Sequence, residues 1–177
     1  MRRNFRGERM AILASTPPRS RAFAPDAFER ILAIGAIALL IVVLAALARG
    51  YGQWARVPGV VWLHLATILI ALALTPTMLL RPRGDRLHRR LGRIWAGAMI
   101  ATAGVSLFIR EANGGFSIIH ILSIWTLIQV PVIWSSARLH NVRRHRGAVR
   151  GMVLGALLIA GFFTFPFHRL LGSWLFA

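Results

Sequence analysis

The chain has 177 residues, 56% of them hydrophobic, with a mean hydropathy of +0.62. Only 15% of the residues are charged, against about a quarter in ordinary soluble domains, so the expected class is an integral membrane protein. All 22 basic residues are arginine against five acids, a formal charge of +17, and cysteine is absent. The missing cysteines exclude disulfides, thiolate metal sites and cysteine nucleophiles. The arginines sit in short segments between apolar runs, with no aromatic-plus-basic reading surface. The expected partner is therefore the lipid bilayer and not nucleic acid.

Residues 1–30 carry seven arginines and the pair Pro17-Pro18, and read as a basic, largely disordered cytoplasmic tail. The apolar patch at residues 11–14 is too short for the core of a signal peptide. Residues 31–177 read as one transmembrane helical bundle, all-α, with five spans. The first, 31–48, is wholly apolar or small between Arg30 and Arg49, and is close to the minimum length for crossing the hydrocarbon core.

After a short loop with Tyr51 and Trp54, the second span covers 57–80, with Pro58 early and Pro76 late. His64, Thr67, Ala71 and Thr75 share one helical face, a polar stripe that lipid does not satisfy and that should point into the bundle. The segment 81–93 holds six arginines and leads to a third span at 94–109. There Gly97, Ala101 and Gly104 predict a close helix–helix approach. An Asn113-Gly114-Gly115 turn leads to the fourth span, 117–137, which carries His120, Ser123, Gln129 and Pro131. A further basic loop ends at Arg150, and the fifth span, 151–167, opens with Gly151 and Gly155 at close-packing spacing. The end of the chain reads as an interfacial segment.

The segments 1–30, 81–93 and 138–150 contain seven, six and five arginines, whereas the alternate side has only Arg49, Arg56, Arg110 and Arg169. By the positive-inside rule this predicts an inner-membrane protein with a cytoplasmic N-terminus.

The six histidines then fall into two layers. His64 and His120 lie on different spans at matched depth, roughly 6–10 Å below the outer interface at the helical rise, and His168 closes the fifth span on that side. His88, His140 and His145 lie on the cytoplasmic side, at helix ends or in loops. Two imidazoles from facing helices suit the axial positions of a haem iron, with Arg56 and Arg110 available to the propionates. His64 and His120 are accordingly the leading cofactor and iron-binding candidates, with haem b as the cofactor. His88, His140, His145 and His168 are a second rank. Each histidine also has a plainer reading as a hydrogen-bonding or solvated side chain.

No acid falls within the five predicted spans, no Walker-type loop is present, and no serine has a base and acid at suitable spacing. Hydrolase and transferase chemistry are not expected.

The span-borne His64, the block His88-Arg89-Arg90-Leu91-Gly92-Arg93 and the pair His145-Arg146 resemble a family of bacterial multi-pass membrane proteins classed as a domain of unknown function. The likeness covers roughly residues 60–168 and implies a membrane bundle without an assigned activity. The two histidine layers also resemble, more distantly, the di-haem cytochrome b type of electron carrier. They depart from it in placing the inner histidines outside the spans. Two readings stay open: a haem b electron-transfer protein working with membrane or redox partners, and a cofactor-free partner subunit or small transporter.

Overall fold

The structure, a computed structural model, describes residues 24–109, 118–166 and 169–176. All the regular elements among them are helical.

Helix α1 (Ala27–Arg49) begins four residues before the predicted span. Asp26 caps it by accepting from the Glu29 backbone N–H at 3.0 Å, and Glu29 reaches back to the Asp26 N–H at 3.1 Å. This reciprocal capping box satisfies two otherwise orphaned donors. The last residues of the predicted tail therefore belong to the helix, while residues 1–23 lie outside the described residues.

A 3-10 turn (Tyr51–Arg56) follows, with the Trp54 indole donating to the Leu47 carbonyl at 3.1 Å. Helix α2 (Gly59–Leu80) runs through Pro76 to Leu80, with Pro58 as its N-cap. A tight turn then uses Gly84 at φ 91°, a conformation that penalises any side chain. Asp85 caps α3 (Arg86–Ser106) through the His88 N–H at 2.6 Å.

Helix α3 starts eight residues before the predicted third span, so most of the basic segment 81–93 is helix. The same holds for residues 138–150. Helix α4 (Ile118–Arg138) ends where His140 takes a left-handed conformation, φ 54°. Asn141 then caps α5 (Val142–Met152) by accepting from the Arg144 N–H at 3.0 Å. The helical path continues as a π-helical stretch (Val153–Ile159) into α6 (Ala160–Phe162). Arginine is a good helix former, and a good cap is enough to start a helix within a basic stretch.

The helices form a closed circuit: α1 packs on α2, α2 on α3, α3 on α4 and α4 on α5, while the π-helical stretch returns to α1. The core inside the circuit includes Leu32, Leu79, Trp95, Met99, Val130, Ile133, Met152 and Leu157. The polar stripe of α2 meets α3 as expected. The Trp95 indole donates to Thr75 at 3.0 Å, and the Thr102 hydroxyl donates to Thr67 at 2.9 Å.

The predicted close-packing face of α3 lies elsewhere. A Cβ at Gly97 or Gly104 would meet nothing within 4 Å, and the buried face is Trp95, Ala96, Ala98, Met99, Thr102, Ala103 and Ser106. Gly151 is likewise open, whereas Gly155 faces the Trp125 ring at 3.6 Å.

Helix α7 (Leu170–Phe176) folds back onto α1. Its Trp174 indole donates to Gln53 at 3.0 Å and covers Gly50, where a Cβ would lie 2.1 Å from the ring. Trp174 joins Val43, Leu47, Leu65 and Leu171 in a second apolar cluster beside Trp54 and Trp62.

Among the described residues three helices are long and apolar enough to cross a membrane: Ala27–Arg49, Gly59–Leu80 and His120–Arg138. Their outer faces expose Ile31, Ile34, Ile41, Ile121 and Ile128. An apolar surface this extensive is compatible with a membrane protein.

Candidate cofactor site at the basic end

Glu29 is only 1% exposed, at the start of an otherwise apolar helix. Its carboxylate pairs with Arg83 from the α2–α3 turn, with Arg146 of α5 at 2.8 Å, and with Arg150 of α5 at 3.2 Å. Asp26 adds pairs to Arg146 and Arg150. These bonds gather the start of α1, the α2–α3 turn and α5. The described end of the first basic segment, residues 24–30, thus meets the segments 81–93 and 138–150.

Beside this cluster lies a cavity of about 850 Å³, within the range of roughly 300–1,000 Å³ usual for small-molecule sites. Its walls are mostly apolar, among them Met78, Leu79, Trp95, Ala96, Ile133, Val149 and Val153. Three histidines line it, His88 on α3, His140 after α4 and His145 on α5, together with Arg89, Arg93, Arg138 and Glu29.

His145 donates its Nδ1–H to the Ile133 carbonyl at 3.1 Å. A carbonyl only accepts, so this bond fixes the tautomer and leaves Nε2 with the lone pair that a metal or a donor needs. His88 is half-buried, and its Nδ1 has no hydrogen-bond partner. Burial first, and the Arg83 guanidinium as well, push the His88 imidazole below its ordinary value and favour the neutral form.

Of the inner histidines, expected in loops or at helix ends, His88 is in the first turn of α3 and His145 on α5, while His140 is in a connection. The short apolar run at 94–109 marked the apolar part of α3 and not the helix itself, which is why their convergence was not visible in the sequence.

At the other end, His64 on α2 donates Nδ1–H to the Thr102 carbonyl of α3 at 3.1 Å. His120 on α4 is 3% exposed. One turn along from it, Ser123 hydrogen-bonds Ser106 of α3. His64 is thus bonded to α3, which packs against both α2 and α4. His168 and Arg110 lie outside the described residues.

Glu29 is the site residue that the residue pattern hid, because it stood in the segment read as tail. Its signal was Asp26-x-x-Glu29 directly before an apolar run.

Among the described residues no three histidine, cysteine or acidic side chains converge to hold a bare metal ion. Two imidazoles are what a haem iron takes from protein. The basic-end cavity offers an orphaned buried imidazole nitrogen, a second imidazole held through its Nδ1–H, and an apolar wall rimmed by guanidinium groups. No family model, curated protein or solved structure matches this chain.

Proposed function

We propose that this protein is a five-span inner-membrane electron carrier that binds haem b, with its arginine-rich end in the cytoplasm. The observation that carries the reading is the basic-end cavity, where His88 and His145 come from different helices into an apolar space rimmed by arginine. His145 would hold the iron through Nε2, kept in orientation by the Ile133 carbonyl. His88 would be the second imidazole to hold the group, and Arg138 would pair with its carboxylates. Bound haem supplies reversible one-electron chemistry at an iron that two imidazoles keep low-spin. The apolar walls exclude water and so favour a neutral imidazole at His88. His64, with its Nδ1–H committed to Thr102, and the buried His120 remain the candidates for a haem toward the opposite face.

The test is a dithionite-reduced minus oxidised spectrum of detergent-purified protein expressed with haem supply. Sharp low-spin b-type bands are expected in the wild type. His88→Ala or His145→Ala should remove them, or halve them if His64 and His120 hold a second group. A flat spectrum from folded protein overturns the proposal.

A second reading, a cofactor-free partner subunit, draws on the outward-facing Gly97 and Gly104, where another helix has room to approach. It expects that flat spectrum, together with a co-purifying membrane protein that Gly97→Leu releases.

A further inference from the structure

Helix α3 opens with Arg86, Arg89, Arg90 and Arg93. Spacings of three, four and seven residues place them in one stripe along two turns. The acids at this end are already engaged: Asp26 by Arg146 and Arg150, Glu29 by Arg83, Arg146 and Arg150, and Asp85 by Arg81. Arg89 donates to the Gly84 carbonyl. Arg86, Arg90 and Arg93 have no ion-pair partner among the described residues, and neither do Arg143 and Arg144 of α5.

Like charges at helical spacing repel, so a stripe of this kind destabilises its own helix unless something outside neutralises it. Residues 1–23 cannot serve, because they carry six arginines and a single acid.

The side chains interleaved with these arginines identify the counter-ion. Leu80, Leu87 and Ile94 are exposed, and Leu139 is 76% exposed. Nearby, Arg138 lies over the exposed Trp134 ring, 5.4 Å from its centroid, an arrangement suited to a headgroup region. An acidic protein surface would leave the bare leucines facing polar groups. A phospholipid leaflet presents phosphate at one depth and acyl chain immediately behind it.

We propose that the Arg86–Arg89–Arg90–Arg93 stripe is a binding site for the phosphate headgroups of anionic phospholipids. Their acyl chains lie against Leu87 and Ile94. Guanidinium groups take phosphate oxygens two at a time, which gives the contact geometry as well as charge. This inference rests on the chain's residence in a membrane and not on haem, so either proposal survives failure of the other.

The experiment uses full-length protein in mild detergent, supplemented with phosphatidylglycerol or phosphatidylcholine. Bound lipid is counted by native mass spectrometry, and the melting temperature is measured in parallel. Phosphatidylglycerol should bind at least tenfold more tightly than phosphatidylcholine, because each arginine near an anionic surface contributes roughly fivefold. Replacing all four arginines by glutamine should abolish the preference, and replacing them by lysine should keep most of it. Equal binding of the two lipids by the wild type overturns the proposal even if the glutamine variant fails to fold. A folded glutamine variant with an unchanged preference also overturns it, as does equal stabilisation by inorganic phosphate alone.

Discussion

Glu29→Gln is the substitution that most directly tests how the bundle is held closed. The side chain is 1% exposed, and its partners Arg83, Arg146 and Arg150 are 9%, 20% and 25% exposed. Glutamine keeps the shape and one acceptor but replaces the other oxygen with an amide that points donors at donors. Removing one member of a fully buried ion pair costs about 3–5 kcal/mol, mostly because the remaining charge is stranded. Here Arg146 and Arg150 retain Asp26 and some access to solvent, and Arg83 retains the Ala24 carbonyl, so the cost falls below that of a fully buried pair. The expected loss is about 2–4 kcal/mol, a fall in melting temperature of roughly 4–16 °C for a chain of this size. The assay is thermal unfolding in mild detergent followed by tryptophan fluorescence. A double-mutant cycle with Arg83→Gln should return a coupling of about 1–3 kcal/mol. A loss below about 0.5 kcal/mol, the level of an exposed pair, would refute the view that this cluster fastens α1.

Gly50→Ala should place a methyl group inside the Trp174 ring contact and undock α7, at a cost of about 1–3 kcal/mol for overpacking, with a red-shifted tryptophan emission as the readout. Asp26→Asn keeps an equally good N-cap but removes its charge. Burial alone would raise the Asp26 carboxyl, but the Glu29 N–H and the Arg150 and Arg146 guanidinium groups outweigh it and hold the group below its ordinary 3.8. The stability it contributes is therefore present above about pH 3.8 and lost as pH falls through the lower folded value. The variant should lose roughly 0.5 kcal/mol at pH 7, because the site is half-exposed, and should show a shallower acid limb in a pH series of melts.

The helical class and the apolar runs were legible from hydropathy. Arginine counts suggested a common side for the basic segments, but not the acids Asp26 and Glu29 that join them. The polar stripe of α2 was legible too: Thr67 and Thr75 donate to carbonyls of their own helix and accept from Thr102 and Trp95 of α3. Helix starts were not, because hydropathy reports where side chains are apolar and not where the backbone is helical. The caps Asp26, Asp85 and Asn141 each begin a helix inside a segment that its arginines marked as connection. That single effect hid the buried Glu29, carried His88 and His145 onto helices, and moved the strongest candidate site from the His64–His120 layer to the opposite end. The small-residue pattern of α3 misled for a related reason. Gly97 and Gly104 establish that a close approach is permitted, while Trp95 and Met99 decide which face is actually covered.

The distribution of polar contacts explains why so basic a chain keeps one acid buried. Ile31, Ile34, Ile37 and Ile41 are exposed, so the position of α1 is not fixed by its isoleucines. What fixes it must be specific, and its two ends supply that. At one end Glu29 draws in arginines from the α2–α3 turn and from α5. At the other, Trp174 of α7 covers Gly50 and donates to Gln53. The first of these also borders the cavity, since Glu29, Arg83 and Arg146 line it beside His145. Closing the circuit and shaping the site are thus one event, and a change that releases α1 should open the cavity before it unfolds the rest.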